Sequence, residues 1–240
     1  LTTAPSPSEA GERPLLSIVI PIYNEEELLP TVLRRVRAVD YEPKELILVD
    51  DFSQDGSRGI LAAEASKPNT VVLHHERNRG KGAAIRTGLK SVRGEIIIIQ
   101  DADMEYDPDD IPRVVEPIVQ GRATVAYGSR FLGRVEKMRL PNRVANWLLA
   151  KTVTWLYGHP LTDEATAYKA FRREVLEDIE LTCERFEFCP EVTAKVLRRG
   201  HRIVEVPVRF VARTFEEGKK IGYRDFFVAM RILLKHRFYS

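Results

Sequence analysis

Apolar residues along the chain fall into short β-branched runs that alternate with stretches of helical spacing. The runs LLSIVIPIY (15–23), ELILVDD (45–51), TVVLHHE (70–76), EIIIIQDAD (95–103) and TVAYGSR (124–130) predict five strands. Between them, EELLPTVLRRVRAV, the stretch from Ser57, GAAIRTGLKSV and DDIPRVVEPIVQ predict helices. Strands apolar on both faces, each followed by a helix, make a mostly parallel sheet with helices on both sides. Right-handed crossovers then make the α/β fold doubly wound.

The pattern changes near Pro141. NRVANWLLAKTVTWLY predicts a helix, and TDEATAYKAF a loop leading to a short strand. FCPEVTAKVLRRG is a helix stopped by Gly200, and HRIVEVPVRFV a strand that Pro207 assigns to an edge or a bulge. An amphipathic helix follows from Tyr223. No linker or repeat splits the chain, so residues 15–240 read as one domain. The Pro/Ser/Glu-rich segment 1–14 reads as a disordered lead-in with no signal core.

Polar residues concentrate just after the strands, as PIYNE, DDFSQDGS, NRGKG and DADMEYD. Ligands of open parallel sheets bind beyond the carboxyl ends of the strands, so these loops should meet at one crevice. In extended backbone, Asp101 and Asp103 point the same way, with Glu105 beyond them. Carboxylates held so close repel unless a cation sits between them, and hard oxygen ligands suit Mg²⁺ or Mn²⁺ bridging to phosphates. Asp107, Asp109 and Asp110 read instead as caps of the next helix, and Asp55 as a cap of the helix at Ser57. Asp51 is placed to accept from a base or ribose. Lys81 and the start of its helix favour an anion; Arg86 faces that anion or water.

The chain has 240 residues, 44% hydrophobic and 30% charged, with a formal net charge of +2. This is the composition of a soluble globular protein, and the balance gives no reason to expect nucleic acid. Cys183 and Cys189 lack metal-type spacing and read as free thiols. No apolar run approaches the roughly 18–20 residues of a membrane span.

Together PIYNE (21–25), VDDFSQDGS (49–57), NRGKGAAIRTG (78–88), DADMEYDP (101–108) and GSR (128–130) resemble family 2 glycosyltransferases of the GT-A fold. The similarity runs over nearly all of 15–238 and points to the dolichol- or polyprenyl-phosphate sugar synthases. It implies that Pro21, Tyr23, Glu25 and Asp51 contact the nucleotide of a sugar donor. It implies that Asp101, Ala102 and Asp103 hold diphosphate and metal, and that 15–130 is the donor half and 131–240 the acceptor half. Family members often carry Gln where this chain has Glu105, a carboxylate able to join the metal.

A lipid phosphate, whose second pKa lies near about 6, is largely ionised at neutral pH and needs cations more than a base. Arg130, and Arg213 with Lys219 or Lys220, are the candidates for holding it, in segments where the family also places basic residues. Asp163 lies where the family carries an acid near the acceptor, as base or orienter. Asp103, Asp163 and Arg130 are thus the expected catalytic set; the role of Lys169 stays open. The basic amphipathic helix RDFFVAMRILLKHRFYS, and Trp147 and Trp155 before it, suit either a membrane surface or core packing.

The expected activity is inverting, metal-dependent transfer of a hexose to a polyprenyl phosphate. Mannose from GDP-mannose and glucose from UDP-glucose both fit. The protein would lie peripherally on the cytoplasmic membrane face or dock on a separate membrane subunit. Two alternatives remain: a same-fold transferase acting on a soluble acceptor, and a non-catalytic nucleotide-sugar-binding scaffold.

Overall fold

A computed structural model describes residues 13–213 and 223–239. Its centre is a seven-stranded sheet of order β3-β2-β1-β4-β6-β5-β7. The strands are β1 (Leu16–Ile22), β2 (Lys44–Asp50), β3 (Thr70–His74), β4 (Ile96–Ile99), β5 (Val125–Glu136), β6 (Lys169–Arg172) and β7 (Ile203–Val211). Strands β1 to β4 pair in parallel, as do β5 and β7. Strand β6 is antiparallel to both neighbours and joins β4 to β5. The sheet therefore runs unbroken across both halves of the chain, and β7 with its Pro207 is an edge strand, where the missing N–H is tolerated.

Alternation along the buried strands explains the continuous apolar runs. Ile18, Ile20, Ile96 and Ile98 face one core, with α1 (Leu29–Ala38), α2 (Ser57–Glu64) and α4 (Ile111–Val119). Val19, Ile47, Ile97 and Ile99 face the other. That side carries α3 (Lys81–Leu89), α5 (Leu140–Tyr157), α6 (Arg173–Glu177), α7 (Phe188–Arg198) and α8 (Tyr223–Phe238). The four isoleucines of β4 thus serve two cores, which a strand with a single buried face would not require. Helix α3 lies close against the sheet: a Cβ on Gly88 would stand 2.7 Å from Val19 Cγ1.

Strand β5 is longer than its apolar run predicts, because its outer half re-pairs with β7 after a break between Ser129 and Arg134. Bulges of this kind re-aim side chains, and Arg130 lies inside this one. The lead-in reading also changes at its end. The Arg13 guanidinium lies 5.5 Å from the centre of the Tyr41 ring, and the Pro14 carbonyl accepts from Tyr41 Oη at 2.8 Å. Residues 1–12 lie outside the described residues.

Candidate active site

The strand-end loops converge. A cavity of about 310 Å³ opens beyond the C-terminal ends of β1, β2 and β4. Pro21, Tyr23 and Glu25 line it from β1, Asp51 from β2, Lys81 from the start of α3, and Asp101, Ala102, Asp103 and Glu105 from β4. Arg213 lies on the same wall. Asp163 and Arg130 do not line it.

The acidic tip folds differently from the extended arrangement expected. Strand β4 ends at Ile99, and the chain turns through Met104 at φ +59°. Asp103 Oδ1 accepts from Glu105 N at 3.0 Å inside that turn. Asp101 pairs with Lys81, Nζ to Oδ1 at 2.6 Å. Burial, with the negative charges of Asp101 and Glu105 beside it, pushes the Asp103 carboxyl up to about 7. A buried carboxyl that resists ionisation beside two other acids at a cavity wall is a position that favours an added positive charge. Among the described residues no group of three or more His, Cys, Asp or Glu side chains is placed to hold a metal ion. Asp101 and Asp103 are hard oxygen donors, and a divalent cation held by these two would need its remaining ligands from phosphate and water, as Mg²⁺ commonly takes them.

Several residues are engaged in ways the sequence did not indicate. Asp51 lines the cavity, but its carboxylate is bonded to His75 Nδ1 at 2.7 Å and accepts from the N–H groups of Arg79 and Gly80. It shapes the 78–80 turn from beneath. The start of α3 is no open anion nest, because Gly82 N and Ala83 N donate to the carbonyls of Arg185 and Glu184, each at 2.9 Å. Lys81 brings positive charge there from the helix itself. Arg86 is half-buried and donates to the carbonyls of Thr182 and Cys183. Asp107 behaves as expected, accepting from Asp109 N at the entry to the helical turn 108–110. Asp55 accepts from Ser57 N at 3.0 Å.

Asp163 and Arg130 form a closed pair. Asp163 is 0% exposed and Arg130 6%. Nε and Nη2 of Arg130 each donate to the carboxylate at 2.7 Å, and Arg130 N adds a third bond at 2.9 Å. Burial opposes the guanidinium charge, but the Asp163 carboxylate outweighs it and holds the charge in place. In this structure the Asp163 oxygens are turned onto Arg130 and do not line the cavity. Arg130 in turn keeps only part of its fork for any ligand. Arg213 Nη1 stands 3.0 Å from Glu25 Oε2, which joins an expected donor residue to an expected acceptor residue. Lys219 and Lys220 lie outside the described residues.

Lys169 is fully buried on β6, away from the cavity. Its Nζ donates to the Glu164 carbonyl at 2.7 Å and lies 3.5 Å from the centre of the Tyr127 ring. Burial pulls its pKa down and pushes that of Glu164 up. Both Glu164 carboxyl oxygens are buried without a hydrogen-bond partner. Asn78, Arg185 and Phe186 line the cavity and were missed. Asn78 stood inside a quoted motif. The other two come from a loop whose sequence carries no strand-end signal.

A seven-stranded mixed sheet with helices on both faces and acids at the β4 tip defines a class, and comparison with known proteins gives the same one. The Glycosyl transferase family 2 model matches residues 17–180. The chain belongs to that family and has its GT-A fold. It is 35% identical over 209 residues to the undecaprenyl-phosphate 4-deoxy-4-formamido-L-arabinose transferase of Photorhabdus laumondii, covering 85% of this chain and 62% of that protein. The Pseudomonas aeruginosa PAO1 protein of the same name is 34% identical over 228 residues, with 91% and 62% covered. The chain thus spans 62% of the length of these curated relatives. Among solved structures it is similar to glucosyl-3-phosphoglycerate synthase from Mycobacterium tuberculosis with Mn²⁺, UDP and phosphoglyceric acid. That match has a TM-score of 0.72 at 20% identity, covering 95% of this chain and 80% of the other. A mannosyltransferase from Pyrobaculum calidifontis with GDP-Man and Mn²⁺ gives 0.63 at 23%, covering 94% and 63%.

Proposed function

We propose that the chain transfers a sugar from a nucleotide-sugar to a polyprenyl phosphate, with a divalent cation, Mg²⁺ or Mn²⁺, held by Asp101 and Asp103. The observation that carries this reading is the convergence of Asp101, Asp103, Lys81 and Glu25 on one cavity at the strand ends. The relatives named for undecaprenyl-phosphate transfer support the acceptor class. The donor sugar is a hexose or, as in the name of those relatives, a modified arabinose.

Charge develops on the leaving diphosphate as the sugar departs, and the bound cation supplies the positive charge that stabilises it. Lys81, already within the cavity, adds a second positive group near the same phosphates. Asp51 keeps the 78–80 turn rigid beneath the nucleotide. An acceptor phosphate is ionised at neutral pH and attacks without a base, which agrees with Asp163 being shut away. Arg213 holds the acceptor from the cavity wall, with Arg130, aligned by Asp163, as the second cation of the acceptor side. A second recess of about 330 Å³, lined by Phe131, Trp147, Leu161 and the basic Arg143 and Lys151, adjoins the Arg130–Asp163 pair. Its apolar walls suit the first isoprene units of a lipid.

Exposed aromatic residues suit a membrane surface. Trp155 is 80% exposed and Trp147 56% on α5, with Phe227 and Phe238 outward on α8. Among the described residues no helix is long and apolar enough to cross a membrane. Peripheral attachment, on the cytoplasmic face or through a separate membrane subunit, is the reading these helices support.

The test is to incubate the chain with Mg²⁺ or Mn²⁺, a panel of nucleotide-sugars that includes GDP-mannose and UDP-glucose, and a short polyprenyl phosphate. Glycolipid should form, and folded Asp103→Ala should make at least about 100-fold less. Unchanged turnover in that variant would refute the reading.

A further inference from the structure

Three cationic side chains line the cavity among the described residues: Lys81, Arg185 and Arg213. Lys81 is paired with Asp101 and Arg213 with Glu25. The Arg185 guanidinium makes no ion pair or hydrogen bond with any described residue. It is positive charge presented to a cavity and left uncommitted by the protein.

The loop that carries it is pinned from two directions. Glu191 of α7 accepts from Thr182 N at 2.9 Å and Cys183 N at 2.7 Å. Glu187 accepts from Arg185 N at 2.8 Å. On the other side the carbonyls of Glu184 and Arg185 receive Ala83 N and Gly82 N from the first turn of α3. The Arg185 stem crosses above Gly80, where a Cβ would meet Glu184 O at 2.5 Å and Arg185 Cγ at 2.9 Å. The backbone on both sides of Arg185 is fixed, and only the end of its side chain is free to turn.

We propose that Arg185 is a donor-binding residue: it reaches over the α3 start from the second half of the chain and pairs with the donor's diphosphate. The inference rests on the nucleotide-sugar reading of the cavity. A guanidinium fork matches phosphate oxygens in a way an ammonium does not. The charge balance also asks for it. The cavity is lined by Glu25, Asp51, Asp101, Asp103 and Glu105 against three cations, two of them already paired. An anionic diphosphate needs more than one divalent cation to sit comfortably among those acids.

The experiment measures binding of UDP and GDP, with Mn²⁺ present, to the 240-residue chain and to its Arg185→Gln and Arg185→Lys variants. Uridine and guanosine serve as phosphate-free controls, followed by ligand-observed NMR. Arg185→Gln should weaken the diphosphate that binds by about 10- to 100-fold and leave its nucleoside unchanged. Arg185→Lys, which keeps the charge and loses the fork, should fall between. Unchanged diphosphate affinity in Arg185→Gln overturns the proposal, as does an equal loss for nucleoside and diphosphate, which would mark a change of loop shape only. If the unaltered chain binds neither UDP nor GDP, the nucleotide-sugar reading falls and this one falls with it.

Discussion

The Asp163 carboxylate accepts three hydrogen bonds from Arg130, and both residues are buried. Removing one member of such a pair leaves an uncompensated charge where water cannot reach. Asp163→Asn should therefore cost about 3–5 kcal/mol of folding stability, read from the midpoint of urea denaturation. A loss below about 1 kcal/mol would show the pair to be solvated. The same substitution in a general base would lower turnover and leave the fold almost untouched, so stability and rate together separate the two roles. Most of the residues that line the cavity were legible in the sequence because polar runs follow the apolar strands. What they touch was not legible. The capture of Asp51 by the 78–80 turn and the closure of Asp163 on Arg130 are set by contacts across 24 to 33 residues. No local pattern records those.

At the scale of elements, the loop between α6 and α7 depends on one carboxylate. Burial alone would raise the pKa of Glu191, but bonds from Lys195, Thr182 and Cys183 outweigh it and hold the carboxyl at about 2, against an ordinary 4.5. A group depressed in the folded state binds more protons when unfolded, so its stabilisation is complete above about pH 4.5 and fades as pH falls toward about 2. Urea unfolding between those limits should show a steep loss that Glu191→Gln flattens. Gly80 governs the other side of the same loop. It sits at φ +94°, and Gly80→Ala would drive a methyl into Glu184 O. The variant should lose about 1–3 kcal/mol and bind nucleoside diphosphate more weakly; calorimetry and titration check the two parts. The alternation of strands and helices was plain from periodicity. The place of β6 was not. A four-residue strand has too little pattern to announce its direction, and its position between β4 and β5 follows from pairing that only the whole sheet decides.

For the molecule as a whole, the two halves present different surfaces. Helix α8 packs on the sheet side through Leu233, Phe226 and Met230 and turns Phe227, Leu234 and Phe238 outward. One side of the helix packs in the core and the other keeps apolar side chains exposed. The chain should sediment with vesicles containing phosphatidylglycerol, and less so as salt is raised. Trp155→Ser combined with Phe227→Ser should reduce the bound fraction several-fold. Equal binding to neutral and anionic vesicles, unaffected by these changes, would rule out this face as the contact.

Strand β6 has a consequence for synthesis. While the ribosome has made only the first 130 or so residues, β4 has no outer neighbour, because the strand that covers it is translated some seventy positions later. For those seconds an all-isoleucine border stands open to other nascent chains, a hazard of unprotected strand borders. Expression cut short before Lys169 should accordingly yield aggregate, and the nascent protein should lean on chaperones until that late strand arrives.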